Sequence, residues 1–482
     1  MIYVGLLLYG VSRSEIPSLE AEAAKRPTAA IYHALAFDYV WSGDYGRAAT
    51  AFETAATKYQ TLGDSNAAIV LRTQAARYRT DLQVFVEVPN DGTSINTGRR
   101  LEPPCGCLTG VNIEREDGTR DPEEFDSSIG KPQGMFFIYS KYGMPFPKQY
   151  AEQVKKINAG LQIAWEPSNL DEVQDNGYLH EFARDAVKSG IPIYLRFASE
   201  MNGDWTPYHN DPAAYVQKFQ LVATVMHAET SNVATVWCPN EIPQSSIDSY
   251  FPGDNAVDWV GVNFYSVVYN DGNRDRVATW KNPSDSLDYV YQKYTAKHPM
   301  MIGEWGASHQ SVVDEVDRTD FAVDKIGQLY AALPRLYPRV KAVNWLSMNT
   351  EKYAEGDRRL NDFCLLDDDA VASAYTKATE CGYYLSSATS TPPTKIVPLA
   401  PDAVLKGQVK LSAVVRSYDQ HPHVTYTLGG SRTYDAGSET GPYEVQVDST
   451  GFANGPLQVV ITATDSHGVV AGTKTISVKV QN

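Results

Sequence analysis

Apolar and polar residues follow three different periods along this chain, and the changes of period divide it. Up to about residue 88, apolar and small positions recur at i, i+3, i+4 and i+7, most clearly from Ile31 to Tyr59. That is the spacing of one helix face. Gly43 separates two such stretches, and Gly63-Asp64-Ser65 supplies a turn and an N-cap for a helix over Asn66 to Tyr78. From about 96 to 386, short β-branched runs alternate with helical stretches, the rhythm of parallel βα units. The runs Leu108–Ile113, Gly134–Tyr139, Leu161–Trp165, Pro192–Arg196, Val233–Cys238, Val257–Asn263, Met300–Glu304 and Lys341–Leu346 predict eight strands. Eight such units fit a (β/α)8 TIM barrel, an α/β fold of about 250 residues. A doubly wound open sheet, the alternative, would carry a Gly-rich phosphate turn after its first strand, and this chain has none.

Beyond residue 396 the alternation becomes strict. Val409, Leu411, Ala413 and Val415 share one face, and so do Val424, Tyr426 and Leu428. Tyr443, Val445 and Val447 repeat the pattern, then Val459, Ile461 and Ala463, then Ile476, Val478 and Val480. Gly429-Gly430 and Asn454-Gly455 mark turns between these runs. The pattern predicts an all-β immunoglobulin-like sandwich without the Cys…Trp…Cys signature of antibody domains. Residues 386–395, rich in Ser, Thr and Pro, read as a linker. The expected organisation is a helical region at 1–95, the barrel at 96–385, the linker, and a sandwich at 396–482 that is dispensable to the barrel.

Tyr32, Leu35, Ala36, Tyr39, Gly43, Tyr45, Ala48, Phe52 and Ala55 stand at tetratricopeptide signature spacings, so the first region resembles such repeats. Only about one and a half repeats are visible, fewer than the three or so needed for a core, so these helices are expected to pack on a neighbouring domain. A peptide-binding surface is the alternative, and protein or glycan contacts through the helices and the sandwich remain open. The segment Met1 to Gly10 is apolar but short, without a basic start or a small-residue cleavage site. It reads as a packed helix or strand, or as the edge of something longer.

Composition narrows the ligand. The net charge of -16 repels nucleic acid and anionic lipid, and no run reaches the roughly 20 apolar residues of a membrane span. Aromatics make up 11% of the chain, with 30 Tyr, and supply the flat faces that sugar clefts use. Of the five Cys, Cys105 and Cys107 stand too close for an ordinary bridge, and Cys364 and Cys381 are the candidate pair. No Cys/His spacing points to a metal, and no cofactor is expected. His421 and His423 read as solvated loop residues.

In a barrel, chemistry collects where strands end. Strand ends here carry Trp165-Glu166, Arg196 to Trp205, Trp237 to Asn240, Asn263 to Tyr265, Gly303-Glu304-Trp305 and Asn344-Trp345. Retaining hydrolysis of a glycosidic bond needs one protonated and one ionised carboxyl, on either side of the sugar. Glu200 and Glu304, from the fourth and seventh strands, suit those roles. Arg196 is expected to hold Glu304 ionised, and Tyr265 to donate to it. Burial and a negative neighbour would raise the pKa of Glu200. Trp165, Trp205, Trp237, Trp305 and Trp345 are the candidate sugar platforms, Trp345 foremost. Glu166, Asn202, Asn240 and Tyr265 are the candidate partners for sugar hydroxyls.

These segments, Arg196…Ser199-Glu200-Met201-Asn202-Gly203-Asp204-Trp205, Trp237-Cys238-Pro239-Asn240, Val257 to Tyr265 and Gly303-Glu304-Trp305-Gly306, resemble glycoside hydrolase family 26 over roughly residues 105–375. The resemblance implies a retaining endo-hydrolase of a β-linked polysaccharide, with β-1,4-mannan first. Mixed-linkage β-glucan, β-xylan or an exopolysaccharide are the alternatives, and an extracellular or cell-surface location follows from such a substrate. Ser199 departs from the family, which usually has His before the acid/base Glu. A non-catalytic glycan-binding scaffold is the rival of another class.

Overall fold

The computed structural model describes residues 16–93, 95–113 and 121–482. The apolar segment Met1 to Gly10 lies outside the described residues. Residues form two compact units, 86–397 and a discontinuous one built from the chain up to Phe85 and from Pro398 onward. This division cuts across the expected boundaries, because the helical region and the sandwich form one unit and not two.

The first unit is a closed barrel. Its strands are Cys107–Ile113, Met135–Lys141, Gly160–Glu166, Ile193–Phe197, Val233–Trp237, Trp259–Asn263, Met300–Trp305 and Val340–Ser347. They pair in parallel in sequence order, and the eighth closes on the first from Ala342 against Leu108 to Ser347 against Ile113. A helix follows every strand except the fifth, which is followed by the 3-10 segment Gln244–Tyr250. The strands read correctly from sequence because each is buried on both faces, which leaves short runs of Val, Ile and Leu between polar turns. Inside the barrel, Leu108, Met135, Tyr194, Ala234, Val236, Met301 and Ala342 form an apolar floor. Two residues further along several strands the inward positions turn polar: Asn344 donates to Gln162 at 3.2 Å, and Gln162 donates to the Gly303 carbonyl at 3.2 Å.

The expected linker is pinned at its end. Asn90 donates through its backbone to the Pro393 carbonyl at 3.0 Å and through its side chain to the Pro392 carbonyl at 2.8 Å. Thr394 donates to Glu87 at 2.6 Å, and Thr394–Pro398 is a strand. The end of the segment is therefore tied by hydrogen bonds to Glu87 and Asn90.

In the second unit, Ile16–Lys25, Ala29–Trp41, Tyr45–Thr61 and Ser65–Tyr78 are helices. Thr28, Asp44 and Asp64 cap the last three by accepting from the backbone N–H three residues on. Leu35, Ala36, Ala48, Phe52, Ala55 and Leu71 interlock as their core. These helices pack on the sandwich: the Tyr45 and Tyr418 rings stand 4.2 Å apart, and Thr80 bonds Ser417 at 3.3 Å. The sandwich alternates as expected, with Leu411, Val424, Tyr426, Val447, Ile461 and Val478 buried, although Val415, expected inside, is only half-buried. One of its sheets contains the strand begun by Asp81, beside Gln408–Arg416. No described helix is long and apolar enough to cross a membrane. No disulfide is formed among the described cysteines, so the expected Cys364–Cys381 pairing is absent.

The split unit predicts the outcome of truncation. A chain ending at Ser386 keeps the helices and the Asp81 strand but loses the sheet that pairs it, and an unpaired edge promotes association. It should aggregate, whereas residues 86–397 alone should stay monomeric. Gel filtration and thermal melting of the two truncations check this, and a soluble, cooperatively melting chain ending at Ser386 would refute it.

Candidate active site

The mouth of the barrel is organised around Arg196, which has no exposed surface. Its Nη2 donates to Glu304 Oε1 and its Nη1 to Asn263 Oδ1 at 3.2 Å. Tyr265 donates to the other oxygen of Glu304 at 2.7 Å. Glu304 reaches this position through a bulge: Val262 lies opposite Ile302, but Asn263 lies opposite Glu304. One extra residue, Gly303, is inserted there, so Gly303 and Glu304 both face inward. The glycine is required by space. A Cβ at 303 would lie 2.6 Å from Asn263 Oδ1 and 3.1 Å from Arg196 Nη1.

Glu200 stands across the mouth. It accepts from Asn263 Nδ2 at 2.8 Å and Asn240 Nδ2 at 3.1 Å on Oε1, and from Trp205 Nε1 at 2.6 Å on Oε2. Its backbone is left-handed, at φ 58°, as is that of Ala198, at φ 47°. Both are strained conformations for residues with a Cβ, of the kind that clusters at functional sites. Gly203 lets the indole of Trp205 fold back onto Glu200, since a Cβ there would sit 2.3 Å from the ring. Burial, and then the charge of Glu304, raise the pKa of Glu200, while its three N–H donors oppose the rise. The phenol of Tyr265 is pushed up by burial and by Glu304.

A third carboxylate, Glu166, accepts from Ser199 at 2.6 Å and from Tyr208 at 2.5 Å. Burial raises its pKa against the pull of Arg196 and the two hydroxyls. It borders an open groove of about 370 Å³ that is also lined by Tyr139, Ser140, Lys141, Pro167 and Ser168. Two carboxylates held in unlike surroundings, as Glu200 and Glu304 are, can transfer a proton at one carboxyl and attack carbon with the other.

Several expected roles change. Trp165, Trp237, Trp305 and Trp345 are all fully buried, at 0% exposure, and none lines the mouth. They face away from the barrel axis, into the layer between strands and helices. Trp165 stacks on Phe182 at 4.2 Å, Trp237 meets Phe251 and Tyr294, and Trp305 meets Trp345 edge-on at 4.7 Å. The Trp345 indole N–H is satisfied by the Phe363 carbonyl at 2.8 Å. Of the five candidates only Trp205, 53% exposed, offers a ring to the cleft. Asn202 is also withdrawn from sugar contact. Its amide donates to the Asn240 and Pro243 carbonyls and accepts from the Asn240 N–H, locking the fourth and fifth loops together.

Four contributors were missed. Asn263 and Cys238 were read only as parts of motifs. Ser199 was read as a departure from the family, and its bond to Glu166 gives it a positive role. Tyr139, 40% exposed at the end of the second strand, stands beside Glu304 and under the influence of its charge. The alternation Phe137-Ile138-Tyr139 could have placed it inward.

Comparison with known proteins agrees with the sequence resemblance. Residues 152–317 match the family model described as Glycosyl hydrolase family 26. That stretch contains Glu166, Arg196, Glu200, Asn263, Tyr265 and Glu304. Endoglucanase H of Acetivibrio thermocellus is 26% identical over 304 residues, covering 57% of this chain and 31% of that protein. Beta-1,3-xylanase TXYA of Vibrio sp is 28% identical over 206 residues, covering 41% of each chain. The chain thus spans less than half the length of these curated relatives. A solved modular endo-beta-1,4-mannanase from Cellulomonas fimi aligns at 16% identity and a TM-score of 0.43, covering 78% of this chain and 94% of that one.

The burial of the tryptophans predicts opposite responses to truncation. Trp345→Ala should cost about 3–5 kcal/mol of stability, the usual loss for a core tryptophan. Trp205→Ala should leave the melting temperature nearly unchanged. Thermal unfolding of both variants decides, and an unshifted Trp345→Ala would return that ring to the cleft.

Proposed function

We propose, taking a barrel of the glycosyl hydrolase family 26 type as the premise, that this chain is a retaining glycoside hydrolase acting inside a β-linked polysaccharide, with Glu304 as nucleophile and Glu200 as general acid/base. The observation that carries the reading is the unlike support of the two carboxylates. Glu304 is bound by a guanidinium and a phenol, and Glu200 by three neutral N–H donors. A carboxylate beside a fixed positive charge is suited to attack the anomeric carbon. A buried carboxyl with a raised pKa is suited to carry a proton at neutral pH.

In the first half-reaction Glu304 forms a bond to C1 while Glu200 gives its proton to the departing glycosidic oxygen. In the second, ionised Glu200 takes a proton from water, whose oxygen bonds to C1 as the Glu304 ester breaks. Trp205 and Tyr139 offer ring faces, and Glu166 an acceptor, to the bound sugar. For the substrate we place β-glucan and β-xylan ahead of β-1,4-mannan, the first implication of the resemblance. Ser199 in place of the family's usual His supports this order, as do relatives named for endoglucanase and β-1,3-xylanase activities. A polymer of this kind is met outside the cell, which is the location the reading carries.

Three measurements test the proposal. Proton NMR of early products should show the β-anomer first, and an α-anomer would exclude retention. Glu304→Gln should lower turnover roughly a thousandfold or more, since each factor of ten is about 1.4 kcal/mol of barrier. Glycan binding without turnover in the wild-type chain, over a panel of β-glucan, β-1,3- and β-1,4-xylan and β-mannan, would favour the scaffold alternative.

The pH profile has a definite sign. Protonated Glu200 is the active form in the first step, so kcat/KM should fall as pH rises through its raised pKa. Trp205→Phe removes an N–H donor that favours the ionised form. The alkaline limb should therefore move to higher pH in that variant, and a limb that stays or moves down would contradict the assignment of Glu200.

A further inference from the structure

Asn263 ends the sixth barrel strand with no exposed surface, and its amide stands between the supports of the two carboxylates. Its Oδ1 accepts from Arg196 Nη1 at 3.2 Å and from the Cys238 thiol at 3.0 Å. Its Nδ2 donates to Glu200 Oε1 at 2.8 Å. The orientation of the amide follows from chemistry. A guanidinium can only donate, so the atom facing it must be oxygen, and the nitrogen must then face Glu200. The strand of Asn263 and the one that follows it in the barrel give up volume to make this possible. A Cβ at Gly261 would lie 2.7 Å from Cys238 Sγ, and one at Gly303 would lie 2.7 Å from the same sulfur and 2.6 Å from the amide oxygen.

The fixed amide divides the labour of the two oxygens of Glu200. Oε1 receives N–H groups from both Asn263 and Asn240, so a hydroxyl hydrogen on that oxygen would face donors. Oε2 receives only the Trp205 indole N–H, at 2.6 Å. A hydroxyl oxygen can still accept that bond, less strongly than a carboxylate oxygen does.

We propose that Asn263 is a positioning residue that couples Glu304, through Arg196, to Glu200 and confines the transferable proton of Glu200 to Oε2. The inference rests on the reading of Glu200 as acid/base. In the first half-reaction the proton passes from Oε2 to the glycosidic oxygen as the C1–O bond breaks and the C1–Glu304 bond forms. In the second, Oε2 takes a proton from the water that bonds to C1 as Glu304 leaves. Oε1 keeps both of its N–H bonds throughout, so no donor has to turn round between the two halves.

The test uses a readout that does not depend on turnover. In the full chain labelled with 15N-tryptophan, the indole N–H of Trp205 donates to Oε2, and its resonance should follow the ionisation of Glu200. Trp205→Phe assigns that resonance. Asn263→Ala removes a donor to the ionised form, so the titration midpoint should move to higher pH. Asn263→Asp keeps an acceptor for Arg196 but turns a second carboxylate oxygen toward Glu200, so it should move the midpoint further in the same direction. On an aryl β-glycoside with a good leaving group, Asn263→Ala should lower kcat about a hundredfold, as a small misplacement of a catalytic group does. KM should fall with it, because the covalent intermediate accumulates when the second half slows. An unmoved midpoint in Asn263→Ala overturns the proposal. If that variant does not fold, an unmoved midpoint in the near-isosteric Asn263→Asp overturns it equally. If the midpoint moves in the Asn263 variants while the wild-type chain cleaves no β-glycan, the coupling of Asn263 to Glu200 stands and the hydrolase reading fails, so the two failures are distinguishable.

Discussion

The mouth of this barrel depends on one buried ion pair, Arg196 with Glu304. Removing both charges from water is costly, and the cost is offset only when the remaining donors and acceptors are also satisfied. The surroundings meet most of that demand from several strands, although the Nε of Arg196 is buried without a hydrogen-bond partner. Tyr265 takes the second oxygen of Glu304, and Asn263 takes the second guanidinium nitrogen. Phe137 and Tyr139 lie beside the guanidinium, 5.7 and 6.0 Å from its centre to their ring centroids. Gly303 clears the space, and the bulge that carries it turns Glu304 inward. Loss of either charged partner would strand the other, which is why so many strand ends are committed to this pair.

The fold was legible because its period is simple. Strands covered on both faces give short apolar runs, and those of a sandwich covered on one face alternate, so barrel and sandwich both stood out. The placement of the catalytic candidates was legible for the same reason, since strand ends in a barrel converge. Side-chain direction was less legible. A tryptophan at a strand end points either to the mouth or to the helix layer, and a shift of one residue exchanges the two. Trp345 follows the inward Asn344, so it faces out. Glu304 would also have faced out, with Ile302, in a strand without the bulge, and no local signal apart from Gly303 announces that insertion. Asn202 was misjudged on different grounds, because an amide at a loop tip looks available until its neighbours are known.

Domain organisation was hidden for a longer-range reason. Composition marks where a chain changes character, and it says nothing about which distant segments meet. The Ser/Thr/Pro stretch looked like a tether because such residues form few packed contacts, yet its end is held by Asn90 and Glu87. The apparent shortage of tetratricopeptide-like helices has a related answer. Tyr45 and Tyr78 stack at 5.5 Å, and Tyr45 also meets Tyr418, so part of the cover that further repeats would provide comes from the sandwich.

The discontinuous unit also sets an order of events during synthesis. Chains fold as they emerge, N-terminal parts first. Here the helices and the strand begun by Asp81 leave the ribosome long before Gln408–Arg416, with the whole of residues 86–397 in between. The barrel is contiguous and can close on its own schedule. The earlier segment must wait, with its apolar face open, until the later one arrives. The entropy of closing so long a loop grows only as the logarithm of its length, so the finished molecule loses little stability by this arrangement. The burden is one of time: the interval between the two halves is when the nascent chain is most open to chaperones, proteases and neighbouring copies of itself.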